Sequence, residues 1–183
     1  MSIHLDLGSC LVRPWRLADA EALARNANDR RVWRNLRDRF PHPYSRQDAD
    51  SYLAIVSGQA RPTSFAIEVE GEAAGGISYV PHDDVERISA EIGYWLGAPF
   101  WGRGLMTLVV HAFSRALFAA DPELRRVYAV PFDWNGASSR VLEKAGFRLE
   151  GRMRQSAIKD GVVVDQLLYA LLRDEAEAPS PPF

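Results

Sequence analysis

The sequence predicts an α/β domain of the α+β kind: a mixed, mostly antiparallel, twisted sheet of about six to seven strands flanked by about four helices. Three observations lead there. Apolar residues Leu105, Leu108, Val109, Ala112, Phe113, Ala116, Leu117 and Ala120 recur at three- and four-residue steps, the mark of a helix with one apolar face. Strand-like stretches at Phe65–Val69 and Gly75–Val80, and again at 148–158 and 162–172, are separated by short turn sequences and read as hairpins. Between the hairpins, Glu91 to Val130 reads strand, glycine loop, helix, strand, a crossover unit of an α/β sheet.

In chain order, Cys10–Trp15 reads as a first strand, placed at or near a sheet edge by Pro14. Asp19 is expected to cap a helix carrying Ala20, Leu23, Ala24 and Ala27, and a short polar helical piece follows around Val32, Trp33 and Leu36. The Pro41-His42-Pro43-Tyr44 stretch interrupts regular helix. Ser45 and Asp48 form a capping-box pattern for a third helix that Gly58 closes. Glu70-Gly71-Glu72 turns the first hairpin, a polar loop runs from His82 to Arg87, and 88–96 is a strand. Asp121-Pro122 ends the long helix, Arg126–Val130 is a buried strand, and 135–145 is a helix stopped by Gly146. Lys159-Asp160-Gly161 turns the closing hairpin, and the Pro-rich tail reads as loose, so a single domain spanning 1–183 is expected to have its folded core over 11–173 and a flexible tail over 174–183.

Composition narrows the function classes. The 22 basic and 24 acidic residues leave no extended positive field for nucleic acid, although arginines cluster between Arg25 and Arg39. Cys10 is the only cysteine, which excludes an intramolecular disulfide and a Cys-rich metal site. His4, His42, His82 and His111 share no metal-like spacing, so no metal is expected. The residues from Met1 to Asp6 carry neither a basic leader nor a long apolar core, and no run approaches the length of a membrane helix; the reading is cytoplasmic, with no membrane partner.

The segment Trp101-Gly102-Arg103-Gly104-Leu105-Met106-Thr107 places two glycines at a strand-to-helix junction, where unpaired backbone N–H groups favour an anion such as a diphosphate. It lacks the Gly-Lys-Ser/Thr ending of a nucleotide P-loop, and Thr107 stands where a dinucleotide fingerprint needs its third glycine. A bare tight connection is the alternative. Taken with Asn135-Gly136-Ala137-Ser138-Ser139-Arg140-Val141-Leu142-Glu143-Lys144-Ala145-Gly146-Phe147, the loop resembles the two cofactor motifs of the GNAT superfamily of N-acetyltransferases. The opening Leu11-Val12-Arg13-Pro14-Trp15 and Phe40-Pro41-His42-Pro43-Tyr44 are similar to the RimJ/RimL ribosomal-protein acetyltransferases within it, and the resemblance covers about Leu11 to Arg173.

The resemblance implies a GNAT fold and transfer of an acetyl group from acetyl-CoA to a primary amine, a protein N-terminus or a small molecule, by direct attack. It implies that backbone groups of Trp101, Gly102, Arg103, Gly104, Leu105, Met106 and Thr107 hold the pyrophosphate, with the Thr107 hydroxyl adding to them. Tyr94, Trp95 and Leu96 would run beside pantetheine, and Asn135 would bind its arm. Glu91 stands where relatives carry a general base, and Ser138 is the implied acid, because Leu142 occupies the position of the usual tyrosine. Trp101 and Met106 depart from the usual Gln/Arg and Gly/Ala. The residues themselves also allow other roles: Glu91 as a solvated strand residue, Asn135 as a helix cap, Ser138 as a first-turn serine, and Trp33, Phe40 and Tyr44 as packing or as acceptor pocket. A non-catalytic acyl-CoA sensor and a homodimer also stay open.

Overall fold

The computed structural model describes Ile3–Glu177, so of the tail expected to be flexible, 174–183, the residues Ala178–Phe183 lie outside the described residues. In chain order the elements are β1 (Leu5–Asp6), β2 (Leu11–Pro14), α1 (Ala20–Ala27), α2 (Arg30–Trp33), α3 (Arg46–Ser57), β3 (Ser64–Val69), β4 (Glu72–Pro81), β5 (Ser89–Leu96), α4 (Leu105–Ala120), β6 (Arg126–Ala129), α5 (Gly136–Lys144), β7 (Arg148–Lys159), β8 (Val162–Leu172) and α6 (Arg173–Glu177). The strands join one sheet in the order β1-β2-β3-β4-β5-β6-β8-β7. β5 and β6 run parallel, whereas β1–β2, β2–β3, β3–β4, β6–β8 and β7–β8 run antiparallel. Eight strands exceed the six to seven expected because β1, two residues long, is too short to leave a period in the sequence.

The described residues form two compact units: those through Tyr79 with Gly93–Leu105, and Val80–Ile92 with those from Met106 to Glu177. In the first, α1 and α3 pack together over a core that includes Leu23, Leu53, Tyr44 and Trp15. Full burial of a leucine such as Leu53 contributes about 1.5–3 kcal/mol. The capping box forms as expected: the Ser45 Oγ accepts from the Asp48 N–H at 3.2 Å, and Asp48 accepts from the Ser45 N–H at 2.8 Å. Both hairpin turns place a non-glycine and then a glycine at positive φ, Glu70 (53°) with Gly71 (84°) and Asp160 (53°) with Gly161 (77°), the geometry of a two-residue turn that matches strand twist.

Two expectations are corrected. Asp19 does not cap α1 with its side chain; its carboxylate accepts both Arg13 guanidinium arms at 2.7 Å, and the Arg16 N–H at 2.8 Å. Arg13 is 2% exposed, so its charge takes precedence over the cap. The chain past residue 173 is helical as far as Glu177, held by the Glu175 carboxylate accepting from the Leu172 N–H at 3.0 Å and by burial of Ala176.

Candidate active site

β5 and β6 are in parallel register over Ser89–Glu91 and Arg126–Tyr128, with Glu91 opposite Tyr128. Beyond Tyr128 the chain turns to β8: Leu167 N–H donates to the Pro131 carbonyl at 2.9 Å, Phe132 bridges Gln166, and Asp133 N–H donates to the Asp165 carbonyl at 3.1 Å. The parallel pairing therefore ends at Glu91. Paired residues of neighbouring strands share a face, so Glu91 and Tyr128 project together, half-buried, while Ala90, Ile92, Val127 and Ala129 are buried on the other face.

After β5, Gly97 and a tight turn at Ala98–Phe100 lead into the glycine loop. Gly102 and Gly104 have φ of 78° and 76°, which a side chain would strain, and a Cβ on either would meet no heavy atom within 4 Å. These glycines are needed for backbone conformation, and the space beside them is open. α4 begins at once at Leu105, so its first N–H groups lack helical partners. The loop thus fits a diphosphate: a curved, exposed backbone with donors and room for phosphate oxygens. Trp101 turns its indole back and donates Nε1–H to the Leu96 carbonyl at 2.7 Å, with the Arg31 guanidinium 5.5 Å from the ring. Arg103 pairs with Glu70 at 2.7 Å and lies 5.5 Å from the Phe100 ring. Leu105 is buried, and Met106 and Thr107 are half-buried in the first turn of α4.

Asn135 caps α5, its Oδ1 accepting from the Ser138 N–H at 3.2 Å, and Ser138 is half-buried beside it. Leu142, which the resemblance sets at the place of a tyrosine acid, is fully buried and belongs to the core. From β8, Tyr169 donates its hydroxyl to Glu143 at 2.9 Å, and burial foremost pushes its phenol above the usual range. The predicted residues thus fall on both units: Tyr94, Trp95, Leu96 and Trp101–Leu105 on the first, and Glu91, Met106, Thr107, Asn135 and Ser138 on the second.

The early aromatics make ring contacts within the first unit. Tyr44 is 5% exposed, and Phe40 lies 4.8 Å from its ring and 5.6 Å from that of Trp95, edge-on to the latter; Trp33 stacks on His42 at 5.5 Å. Trp95 is held from below by Gly76, where an added Cβ would come within 3.0 Å of its Nε1. Sequence reasoning missed one pair in the second unit: His82 Nε2 and the Tyr128 hydroxyl are 2.7 Å apart, with the rings stacked at 5.7 Å. Forty-six residues separate them, and no linear spacing signals the contact. Among the described residues, no group of three or more His, Cys, Asp or Glu is placed to hold a metal ion, and no helix is long and apolar enough to cross a membrane.

Comparison with known proteins supplies the family. Residues 10–148 match the model of the acetyltransferase (GNAT) domain. The Bacillus subtilis protein YjcK, whose N-acetyltransferase name is itself an inference, is 30% identical over 181 residues, covering 91% of this chain and 95% of that one. The ribosomal-protein-serine acetyltransferase of Escherichia coli is 33% identical over 110 residues, 60% of either chain; the chain likewise spans 58% of the length of a further relative, YdaF of Bacillus subtilis, at 35% identity over 59% of its own. Among solved structures, Mycobacterium smegmatis RimJ, in complex with CoA-disulfide, superposes with a TM-score of 0.82 at 27% identity, over 98% of this chain and 90% of that one. The chain belongs to the GNAT acetyltransferase family, on its RimJ/RimL-like side.

Proposed function

We propose that this chain transfers an acetyl group from acetyl-CoA to a primary amine in a ternary complex, with a protein or peptide N-terminal α-amine as the favoured acceptor. The observation that carries the reading is the glycine loop: two positive-φ residues with open space beside them, leading into the unsatisfied start of α4, in a chain of the GNAT family. Acetyl-CoA supplies an activated thioester acyl group. Backbone N–H groups from Gly102 to Thr107 bind its pyrophosphate, the backbone of Tyr94, Trp95 and Leu96 lines the pantetheine, and Asn135 contacts that arm while capping α5. Glu91 takes the proton of the acceptor amine, directly or through water, and Ser138 is the candidate acid on the leaving side. Holding two reactants in place provides much of the acceleration. A cytoplasmic enzyme is part of the same proposal.

The acceptor preference rests on the names of the relatives and on titration arithmetic. An α-amine with a pKa near 7.8 is neutral in roughly one molecule in seven at pH 7, whereas a lysine near 10.4 is neutral in about one in 2,500. A modest base serves the first; the second needs a stronger one. Thiol release from acetyl-CoA is to be measured with a peptide bearing a free N-terminus, an N-blocked lysine peptide and small amines; the free N-terminus is expected to give the highest kcat/KM. Glu91→Gln is expected to lower turnover most at low pH, where the amine is most protonated, and to leave acetyl-CoA affinity intact. An unchanged pH–rate profile removes Glu91 from the reaction. Saturable CoA binding with no thiol release on any amine supports the second reading, an acyl-CoA-binding module, which the burial of Leu142 in the tyrosine position favours.

A further inference from the structure

The register of β5 and β6 sets Glu91 beside Tyr128 on one face, and Tyr128 reaches a histidine from the loop before β5. That loop is pinned by its backbone as well, His82 N–H donating to the Ser89 carbonyl at 3.1 Å. The two ring nitrogens of His82 face different partners. Nδ1 lies 3.6 Å from the Glu86 carboxylate, and Nε2 lies 2.7 Å from the Tyr128 hydroxyl. A carboxylate beside Nδ1 favours the neutral tautomer with its proton there, which leaves Nε2 as the acceptor of the Tyr128 O–H. The His82 side chain is 29% exposed and that of Glu86 72%, so this end opens to water, while Tyr128 is half-buried. The Arg126 guanidinium, paired with Glu150, lies 5.6 Å from the Tyr128 ring.

We propose that Tyr128 and His82 carry to solvent the proton that Glu91 takes from the acceptor amine. The proposal rests on the acetyl transfer proposed above and on Glu91 as its base. One N–H bond of the acceptor ammonium breaks as an O–H bond forms on Glu91; the freed amine attacks the thioester carbonyl, its C–N bond forming as the C–S bond breaks, and its second proton passes to the departing CoA sulfur. Glu91 then gives that proton, directly or across one water, to the Tyr128 oxygen as Tyr128 passes its own proton to His82 Nε2. Glu91 returns to carboxylate and Tyr128 to phenol; the imidazolium of His82 releases its Nδ1 proton to water beside Glu86, and proton exchange with water returns the ring from its Nε2–H to its Nδ1–H form before the next turnover. One proton leaves for each acetyl group transferred, and nothing is oxidised or reduced. Tyr128 and His82 act through Glu91 and are positioning residues, not catalytic ones.

The test uses the full chain, acetyl-CoA and the best amine acceptor. Tyr128→Phe and His82→Gln are expected to lower kcat about tenfold, below the 10²–10⁴-fold effect typical of a direct acid or base, with KM for acetyl-CoA unchanged. Glutamine keeps an acceptor for the Tyr128 hydroxyl, so the loop stays attached while the proton path is cut. Imidazole in the buffer is expected to restore turnover to His82→Ala and to leave the unmodified enzyme unaffected. Nitrogen chemical shifts of His82 by NMR are expected to show the Nδ1–H tautomer, a readout that needs no turnover. Acetyl transfer at the unmodified rate in both Tyr128→Phe and His82→Gln overturns the relay alone, as does an Nε2–H tautomer or a loss that imidazole does not relieve. Absence of thiol release with any amine in the unmodified protein overturns the acetyl-transfer reading and the relay with it.

Discussion

Arg13 and His82 are each held by short polar contacts within their own unit, and they differ in how dry and how complete those contacts are. Arg13 is 2% exposed and spends its guanidinium on Glu68 at 2.5 Å, on both oxygens of Asp19 at 2.7 Å and on the Pro14 carbonyl at 3.0 Å. Burial opposes its charge, but the bonds to Asp19 and Glu68 outweigh that and raise its pKa above the usual range. His82 has one close partner, one at 3.6 Å and an open side. A saturated buried cluster fixes a backbone; a half-wet pair with one free route to water can change protonation without unfolding anything. The largest predicted effect follows from the first. Asp19→Ala leaves a buried cation with one carboxylate instead of two, and is expected to cost about 3–5 kcal/mol in urea or thermal unfolding while the folded fraction keeps its kcat. A loss below 1 kcal/mol would erase the distinction between the two clusters.

The second cluster predicts the reverse ratio. Tyr128→Phe removes one half-buried hydrogen bond, worth about 0.5–1.5 kcal/mol, so melting is expected to shift by only a few degrees while turnover falls about tenfold. A change in melting as large as that of Asp19→Ala would make His82–Tyr128 a latch of the 82–87 loop and nothing more.

This contrast also marks what the sequence carries. Ser45 with Asp48, Asp160 with Gly161, and Gly102 with Gly104 were legible because a cap or a positive φ is a local demand that the residue type itself answers. Asp19 misled because its local signature, an acid before an apolar helix, competes with a buried arginine across the chain turn, and the charge is worth more than the cap. His82 was unreadable for a related reason: its meaning depends on the register of β6 beside β5, and register is a property of two strands that neither sequence states alone. Of the site, the loop was therefore visible in advance, and the surroundings of Glu91 were not.

The smallest effect probes the comparison from the exposed side. On the closing hairpin Arg152 spans Asp133 and Asp165, each at 2.6 Å, and Asp165 also accepts the Gln155 N–H at 2.7 Å, where β7 bulges and Gln155 sits at φ 51°. The Gln155 N–H first, and then Arg152, hold the Asp165 carboxyl below the usual carboxylate range. Because that pKa is depressed, the support is present above the unfolded value near 3.9 and is lost as pH falls through the lower folded value. Asp165→Asn is therefore expected to speed hydrogen exchange at the Gln155 amide at neutral pH, with the ratio of variant to unmodified rates approaching one in strong acid. Global melting should hardly move, because ion pairs in water contribute little. Like that of Arg13, this cluster joins one guanidinium to two carboxylates, and it lacks the dryness. A large melting shift in Asp165→Asn would make the number of contacts, and not their exclusion from water, the property that separates structural from proton-moving clusters in this chain.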